Sequence, residues 1–326
     1  MSAISIPKLP PVASSPVAME VLTGLTRRPK TLSPWLFYDD AGSRLFEEIT
    51  DLPEYYVTRT ERRILAQHAD EIVAAAAGDR RLSMIELGAG TATKTGLLLK
   101  AAVRLQGQVT YSPIDVSETA LEEARIRLET ELPEVSVAPI VADYTEGMRQ
   151  NGATPSERRL VLYIGSSIGN FSPPDAVALL RNVRAQLAPG DCLLLGTDMV
   201  KDTRTLLAAY DDAAGVTAQF NLNVLTRLNR ELDARFNLHL FRHQARWNEQ
   251  QSRIEMHLES LLGQKVPICA LDMEVRFTVG ETIHTENSYK FTDQKVDALL
   301  ARSGFRLRQR WSDENKWFKV YLAAAC

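Results

Sequence analysis

The chain has 326 residues, of which 45% are hydrophobic and 24% charged, and its formal net charge is −3. This composition is typical of a soluble protein with one large domain or two, and it excludes the basic footprint of a nucleic-acid-binding protein. No apolar run approaches the roughly 18–20 residues that span a bilayer, so we expect no membrane partner. Cys192, Cys269 and Cys326 are too far apart for a disulfide framework or a paired metal motif, which indicates a reducing cytoplasm.

The first part of the chain carries signals for a loose start followed by helices. Residues 1–20 are rich in proline and serine and lack the apolar core of a secretory signal, which predicts a flexible leader. Residues 33–50 carry a helical pattern, and residues 51–56 form a loop. An amphipathic helix is predicted from Thr58 to Ala75, with Thr58 or Thr60 as its N-cap.

Beyond this helix, strand and helix patterns alternate, which indicates βαβ units and a doubly wound parallel sheet of the α/β class. The predicted strands are short and apolar, as buried parallel strands are. They cover residues 83–87, 109–114, 135–141, 159–164 and 191–197. Predicted helices cover residues 93–105, residues 118–130 and a segment that begins after Ser172-Pro173-Pro174. Two final strand-like runs around a polar turn, 305–311 and 316–322, predict a C-terminal antiparallel hairpin.

Residues 201–290 interrupt this alternation. A long helical pattern over residues 206–231 precedes three strand-like runs, at residues 237–247, 252–260 and 273–279. We therefore expect an inserted second domain of the α+β type, to which the N-terminal 60 residues could also contribute.

The turn after the first strand of the alternating region is the most informative part of the chain. The apolar run Met84–Leu87 ends in a Gly88-Ala89-Gly90 turn, and a helical pattern begins just beyond it. Glycines at this point let the backbone approach a ligand that side chains would block. Thr93 stands where the dinucleotide fingerprint has its third glycine, so the turn fits NAD poorly. It resembles motif I of the class I methyltransferases that use S-adenosylmethionine (SAM), and the alternative is an ordinary glycine turn before a helix.

Three later loops carry suitable chemistry at the carboxyl edge, where open α/β sheets bind ligands. Asp115 follows the second strand, and its carboxylate could accept both ribose hydroxyls. The alternative for this residue is an N-cap, a role that Ser117 could equally fill. Asp143 and Tyr144 follow the third strand, where a carboxylate can bind the adenine amino group and a ring can face the base. Residues 165–171 follow the fourth strand and supply small residues and an amide.

Motifs from about residue 33 to the C-terminus match one family in combination. They are found at residues 37–43, 45–50, 52–56, 58–61, 86–90, 94–95, 165–171, 198–202, 209–212, 215–223 and 284–291. Together they resemble the L-histidine Nα-methyltransferases of the ergothioneine pathway, which convert histidine and three SAM molecules to the betaine hercynine. The resemblance implies a class I methyltransferase core, residues 61–197 and 288–326, and a substrate-binding lobe, residues 21–60 and 198–287.

The resemblance also implies roles for individual residues. The implied substrate residues are Glu286 and Ser288 for the imidazole, Met256 beside that ring, Tyr56, Asn170 and Tyr210 for the α-carboxylate, and Tyr38 near the amine. Tyr38 and Asn170 are expected to position the reacting groups. The implied cofactor-binding residues are Gly88, Gly90, Lys94, Asp115, Asp143 and Tyr144.

These residue types suit histidine as a substrate. An imidazole has two ring nitrogens with different donor and acceptor roles, which a carboxylate and a hydroxyl two residues apart on a strand can both contact. Phenols and an amide can hold a carboxylate, so we expect no cation beside the nitrogen that becomes quaternary. The alternative for Glu286 and Ser288 is a solvated strand face, and the alternative for Tyr210 is packing within a helix.

We expect a monomeric enzyme that positions an in-line displacement at the methyl group of SAM, without a metal ion. The sequence does not identify a general base. Two alternatives to histidine methylation stay open on the residues alone. One is the same chemistry on another free amino acid, such as tryptophan or tyrosine, and the other is a SAM-binding module without turnover.

Overall fold

Residues 15–150 and 157–326 are described by a computed structural model, in which the chain divides into two compact units. Unit 1 comprises the residues up to Tyr55 together with Asp202–Asn287, and unit 2 comprises Tyr56–Lys201 together with Ser288–Cys326. The sequence predicts these boundaries after residues 60, 197 and 287. Of the predicted leader, residues 1–14 lie outside the described residues. A flexible state for residues 16–20 is wrong, because these residues are already helical.

The secondary structure of the described residues alternates in unit 2 and is mixed in unit 1. The α-helices are α1 (Pro16–Thr26), α2 (Asp40–Asp51), α3 (Tyr56–Ala77), α4 (Gly96–Gln106), α5 (Glu118–Glu131), α6 (Tyr144–Gln150), α7 (Pro173–Ala185), α8 (Thr203–Ala208), α9 (Val216–Leu232) and α10 (Asp293–Arg302). The strands are β1 (Lys30–Thr31), β2 (Arg81–Leu87), β3 (Val109–Asp115), β4 (Val135–Val137), β5 (Ile140–Val141), β6 (Glu157–Tyr163), β7 (Cys192–Asp198), β8 (Phe241–Asn248), β9 (Arg253–Ser260), β10 (Gln264–Ile268), β11 (Met273–Phe277), β12 (Thr282–Tyr289), β13 (Phe305–Ser312) and β14 (Phe318–Ala325). Among these residues, none of the helices combines the length and the apolar character needed to cross a bilayer.

An eight-stranded sheet forms the centre of unit 2. Its order is β13-β14-β7-β6-β2-β3-β4, with the short β5 paired to β3. The pairs from β7 to β4 are parallel, whereas β14 is antiparallel to both β7 and β13. The predicted α/β fold class, a doubly wound sheet with a C-terminal antiparallel hairpin, is confirmed. Strand order reverses between β2 and β6, so ligands are expected at the carboxyl ends of these two strands.

The core of unit 2 lies between this sheet and its helices. Strand β7 is buried along its whole length, as expected of an inner strand with helices over the sheet. One cluster of buried side chains joins the sheet to α7 and α10 and includes Val161, Leu193, Leu180 and Val296. Each fully buried aliphatic side chain of this kind contributes about 1.5–3 kcal/mol to folding.

Unit 1 is built around a four-stranded sheet of order β1-β12-β9-β8, with a separate β10-β11 hairpin. Helix α9 packs against β8, β9 and α2. Phe220, Val224 and Leu228 recur at a spacing of one helical turn and are buried, which gives α9 one apolar face. The unit is therefore an α+β arrangement, of the type that the interrupted sequence pattern predicts.

Several elements differ from the sequence-based prediction. The single helix predicted over residues 206–231 is two helices, α8 and α9. Gly215 takes a left-handed conformation with φ of +74° just before α9, and Asp212 accepts the N–H groups of Val216 and Thr217 at 2.9 and 2.7 Å. Strand β10 and helices α6 and α10 are absent from the predicted elements, and the strand predicted over residues 135–141 is split into β4 and β5.

A buried acid joins α3 to the sheet of unit 2. The carboxylate of Glu61 accepts the Gly165 N–H at 2.9 Å with each oxygen and pairs with the ammonium group of Lys94. Gly196, in the middle of β7, leaves the space for this carboxylate, because a Cβ at that position would overlap it. The glycine within an otherwise bulky apolar strand is thus explained by Glu61.

Replacing Gly196 with alanine is expected to lower the free energy of unfolding by about 1–3 kcal/mol, because the added methyl group displaces Glu61 in a close-packed interior. Gly96→Ala is the matched control, since no atom lies within 4 Å of its Cβ position and a helical site favours alanine over glycine. Urea denaturation measures both variants. Equal stability of the two would contradict the role given to Gly196.

Candidate active site

The glycine turn after β2 has the open backbone that the sequence predicts. Gly88 and Gly90 have φ angles of +68° and +50°, which glycine adopts without strain. A Cβ at Gly88 would lie 2.9 Å from the hydroxyl oxygen of Tyr144, whereas no atom lies within 4 Å of the Cβ position at Gly90. The fold therefore brings Gly88 and Tyr144 together and leaves open space beside Gly90.

Asp115, at the end of β3, faces this turn. Its Oδ2 accepts the Gly90 N–H at 2.9 Å, and its Oδ1 accepts the Ser117 N–H at 3.0 Å. The N-cap of α5 is Ser117, whose side chain accepts the Ala120 N–H at 3.2 Å. The alternative interpretation of Asp115 as the N-cap is therefore wrong, and the carboxylate is held beside the glycine turn.

Asp143 and Tyr144 follow β5 at the same edge of the sheet. Asp143 Oδ1 accepts the N–H groups of residues 145–146 at 2.8 and 2.9 Å, which caps the first turn of α6. The Tyr144 ring packs edge-on against Tyr163, with ring centroids 5.6 Å apart. Burial, together with the nearby charge of Asp115, raises the pKa of Tyr144 to about 12. The Tyr144 hydroxyl is therefore neutral near pH 7 and retains its proton for donation.

The same edge carries two exposed apolar side chains. Val116, which follows Asp115, is 64% exposed, and Val141, two residues before Asp143, is 54% exposed. Carboxylates beside exposed apolar surface match the chemistry of an adenosine group, whose ribose offers two hydroxyl donors and whose base offers a flat apolar face. With the open backbone at Gly90, these residues fit the nucleoside part of SAM.

Lys94, a predicted cofactor residue, pairs with Glu61 in this structure. Glu86, at the end of β2, is buried as well, and burial raises its pKa to about 7. Sequence reasoning gave no role to Glu61, although it lies within the matched segment 58–61. The available signal was a charged residue on the apolar face of α3, where neighbouring positions one turn away are buried.

Two predicted substrate residues of unit 2 lie in a buried polar cluster. The Tyr56 hydroxyl donates to the Asp198 carboxylate at 2.8–3.0 Å and accepts from Lys201 Nζ at 2.7 Å. Ser288 Oγ accepts from Lys290 Nζ at 2.7 Å, and Lys290 also pairs with Asp198 at 2.8 Å. Lys201 pairs with the same carboxylate. We name these five residues the Asp198 cluster.

The Asp198 cluster places two cations beside predicted substrate residues, because ammonium groups contact the hydroxyls of Tyr56 and Ser288. The expectation that no cation lies beside the nitrogen that becomes quaternary stays a prediction. Although burial disfavours its charge, Lys290 and Lys201 hold the pKa of Asp198 below its usual value. Burial lowers the pKa of Lys201 to about 8, despite the neighbouring carboxylate. Both lysines lie in sequence segments that match the family, but the sequence alone predicts a surface position for them, because lysine is rarely buried.

Asn170 ends a short 3-10 turn after β6 and is partly exposed. Two contacts anchor its loop. The Asp198 N–H donates to Ser166 Oγ at 2.9 Å, and Gly169 packs so closely on the backbone of Tyr289 that a Cβ would lie 2.9 Å from the Tyr289 carbonyl oxygen. Asn170 therefore belongs to the same carboxyl edge of β6 and β7 as the Asp198 cluster.

In unit 1, Tyr38 belongs to an aromatic group around Phe220 of α9. Its ring packs edge-on against Phe46 and Phe220, with centroids 5.8 and 5.9 Å away, and 38% of the residue is exposed. Asn223 of the same helix donates to Asp39 Oδ1 at 2.7 Å, which holds the residue that follows Tyr38. Helix α9 thus holds Tyr38 through the ring of Phe220 and holds Asp39 through the amide of Asn223.

A buried network holds the backbone at two further candidates. His243 Nε2 donates to the Tyr210 carbonyl oxygen at 2.8 Å, so its Nδ1 accepts from Asn221 Nδ2, also at 2.8 Å. The Thr285 hydroxyl contacts Asn221 Oδ1 at 2.8 Å and the Met256 carbonyl oxygen at 3.1 Å. Burial lowers the pKa of His243, which favours the neutral ring that this arrangement requires. Asn221 of α9 therefore connects the segments that carry Tyr210 and Met256.

Glu286 lies on β12 and is partly buried. Its backbone carbonyl oxygen accepts from His284 Nε2 at 3.0 Å, and the His284 ring stacks on that of His257 with centroids 4.7 Å apart. Burial and the neighbouring His284 lower the pKa of His257 to about 4. Within residues 15–150 and 157–326, no three His, Cys, Asp or Glu side chains are grouped as metal ligands would be.

The seven predicted substrate residues divide between the two units. Tyr38, Tyr210, Met256 and Glu286 belong to unit 1, and Tyr56, Asn170 and Ser288 belong to unit 2. The structure links Tyr56 to Ser288 through Asp198 and Lys290. It links the backbone of Tyr210 to that of Met256 through His243, Asn221 and Thr285. The six predicted cofactor residues all belong to unit 2.

Known proteins match nearly the whole chain. The family described as "Histidine-specific methyltransferase, SAM-dependent" matches residues 17–325. The chain is 45% identical over 312 residues to histidine N-alpha-methyltransferase of Mycolicibacterium smegmatis, covering 95% of each chain. It is 42% identical over 306 residues to the protein of the same name from Mycobacterium tuberculosis, covering 94% of each chain. Ergothioneine biosynthesis protein 1 of Schizosaccharomyces pombe is 28% identical over 318 residues, which are 95% of this chain and 40% of that protein. The chain therefore belongs to the family of SAM-dependent, histidine-specific methyltransferases.

Proposed function

We propose that this protein is a SAM-dependent L-histidine Nα-methyltransferase that forms hercynine, the first step of ergothioneine biosynthesis. The observation that carries the proposal is the family match over residues 17–325, together with relatives of that name that share 42–45% of their residues with this chain. The open glycine turn and the acids at the carboxyl edge of the sheet support the use of SAM as cofactor.

The cofactor side of the proposal rests on residues of unit 2. When bound, SAM supplies a methyl group on a positively charged sulfur, which a neutral amine can attack. Gly88 and Gly90 would let the backbone approach the methionine part, and Asp115 would accept the ribose hydroxyls. The implied partners of the base and of the methionine group are Asp143, Tyr144 and Lys94.

The substrate side rests on residue chemistry and on the family. Glu286 would accept from one imidazole nitrogen, and the Ser288 hydroxyl would contact the other. Tyr56, Asn170 and Tyr210 would hold the α-carboxylate, with Met256 beside the ring and Tyr38 near the amine. The reacting amine must have lost its proton, so orienting its lone pair is the main task of the site. We assign no residue as a general base.

We further propose a monomer that works in a reducing cytoplasm. The reducing cytoplasm is supported by the cysteines, because Cys192, Cys269 and Cys326 are all free thiols.

The second candidate function is methylation of another free amino acid, tryptophan or tyrosine. It is less well supported, since an indole has one ring donor and no ring acceptor, and a carboxylate together with a hydroxyl suits an imidazole better. A SAM-binding module without turnover would have no use for such a polar set of residues.

The cofactor assignment predicts that Asp115→Ala weakens SAM binding by roughly 1–3 kcal/mol, because the ribose hydroxyls lose a charged acceptor. Asp115→Asn keeps an acceptor oxygen for the Gly90 N–H and should retain the fold, yet still bind SAM more weakly. Asp175→Ala, at an exposed acid in the first turn of α7, is the control. Calorimetry that finds unchanged SAM affinity in the folded Asp115 variants would rule out this role.

The imidazole assignment predicts that Glu286→Ala raises the KM for histidine by roughly tenfold or more, because a hydrogen-bonding partner specific to imidazole is lost. For the same reason, the ratio of kcat/KM for histidine to kcat/KM for tryptophan should fall. Glu274→Ala, at an exposed acid of the same unit that pairs with Lys265 and Arg276, is the control. Steady-state kinetics with both amino acids measures the effect. A Glu286 variant with the wild-type KM and preference would show that another residue reads the ring.

The proposed reaction predicts that trimethylated histidine is the dominant end product and that only the α-amine is modified. Mono- and dimethylhistidine must stay substrates, since positioning groups for the carboxylate and ring are unaffected by methyl groups on the amine. Tandem mass spectrometry of a time course, first with limiting and then with excess SAM, tests this. Monomethylhistidine that accumulates while SAM is still present, or a methyl group on a ring nitrogen, is the contrary outcome.

A further inference from the structure

We infer that Lys201 is a positioning residue for the α-carboxylate subsite, which it serves by placing a positive charge on the hydroxyl oxygen of Tyr56. The inference rests on the proposed function and extends it. It adds the positive charge of Lys201 to the neutral donors that are predicted to bind the substrate carboxylate. It concerns only residues of unit 2, in the Asp198 cluster.

The geometry around Tyr56 carries the inference. Lys201 Nζ lies 2.7 Å from the Tyr56 hydroxyl oxygen and 4.3 Å from the centroid of its ring. The ammonium group is held there by the Asp198 carboxylate and by the Met199 carbonyl oxygen at 2.6 Å. The Lys201 side chain is 4% exposed. The charge is therefore fixed against the phenol oxygen and poorly screened by water.

The Asp198 carboxylate that holds Lys201 is shared with a second ammonium group, that of Lys290. Asp313 attracts Lys201 from a greater distance, and no ion pair joins the two in the described residues. Charged groups are rarely buried unless they are paired or used. A carboxylate arriving at Tyr56 would bring a further negative charge close to the Lys201 ammonium group.

The proton of Tyr56 explains how the charge would act on a substrate. A phenol has a single proton, and Tyr56 donates it to Asp198 in the structure. Lys201 and Lys290 keep Asp198 partnered when that proton turns toward a substrate carboxylate. A cation at the phenol oxygen also makes the O–H a stronger donor. Lys201 thus supports donation to the carboxylate without touching the substrate itself.

A second Tyr–Asp–Lys group in unit 2 provides a matched control. Lys319 Nζ lies 2.7–2.8 Å from the Asp293 carboxylate, and the Tyr321 hydroxyl donates to the same carboxylate at 2.7 Å. No residue predicted to contact histidine or SAM belongs to this second group. Neutralising Lys319 therefore reports the structural cost of losing a paired lysine, without the effect proposed for Lys201.

The test compares Lys201→Met, Lys201→Arg and Lys319→Met with the wild-type protein. We expect Lys201→Met to raise the KM for histidine roughly tenfold or more, the effect of losing a charge-assisted hydrogen bond. Its kcat should fall less than its kcat/KM, and its affinity for SAM by calorimetry should be unchanged. Lys201→Arg keeps the charge and should recover most of the loss. A folded Lys201→Met whose KM matches that of Lys319→Met overturns the inference.

A binding measurement covers the case in which Lys201→Met does not fold. Imidazolepropionate has the ring and the carboxylate of histidine but no amine, so above about pH 7.5 its own charge is nearly constant. Because the pKa of Lys201 is about 8, we expect the inhibition constant of imidazolepropionate on the wild-type protein to rise between about pH 7.5 and pH 9.5 as that ammonium loses its proton. The rise should be absent in Lys201→Arg. A flat profile in the wild-type protein contradicts the inference.

The outcomes separate the inference from the proposed function. A wild-type protein that methylates histidine, with a Lys201→Met variant no worse than Lys319→Met, overturns only the role of Lys201. A wild-type protein that methylates no free amino acid overturns the proposed function, and the inference with it. Tryptophan methylation that depends on Lys201 in the same way would keep the carboxylate subsite and change only the side chain that it serves.

Discussion

The buried carboxylate of Asp198 is the constraint on which the carboxyl edge of unit 2 depends. Its side chain holds the Tyr56 hydroxyl and two ammonium groups, and its backbone N–H holds Ser166. One residue thus ties the start of α3, the loop after β6, the end of β7 and the segment after β12. Because an uncompensated buried charge is strongly destabilising, separating these elements at Asp198 is expected to be costly. Asp198 and its lysines therefore hold Tyr56 and Ser288, two residues predicted to bind the substrate, in one arrangement.

A second buried acid, Glu61, joins separate elements of unit 2 near the predicted cofactor residues. Glu61 binds the backbone of the loop after β6 and pairs with Lys94 beyond the glycine turn, and Gly196 leaves room for it. The glycine turn itself is closed on one side by Tyr144 and open beside Gly90. The open side of the turn lies at the edge where Asp115 and the exposed valines lie, which is the edge that a doubly wound sheet offers to ligands.

How far the sequence predicts the structure depends on how local each signal is. The inner strands and the glycine turn follow from apolar runs and from two glycines, and these elements are found as expected. The sequence predicts one helix over residues 206–231, whereas the positive φ angle of Gly215 and the carboxylate of Asp212, which caps α9, divide this segment into α8 and α9. Short elements such as α6 have too few residues for a period, so tertiary packing and a cap decide them.

The same reasoning applies to the candidate site. Glycine, aspartate and tyrosine at strand ends are visible in the sequence, whereas Lys201 and Lys290 acquire meaning only once burial and distance are known. Likewise, the sequence gives no role to Asn221 or His243, yet their hydrogen bonds fix the backbone at predicted substrate residues.

The proposed function requires that the predicted substrate residues recognise a free amino acid with an imidazole side chain. Its most direct test is an equimolar mixture of the twenty amino acids with enzyme and SAM, read by mass spectrometry. We predict that histidine alone gains methyl groups, and methylation of tryptophan or tyrosine in preference to histidine would contradict the claim.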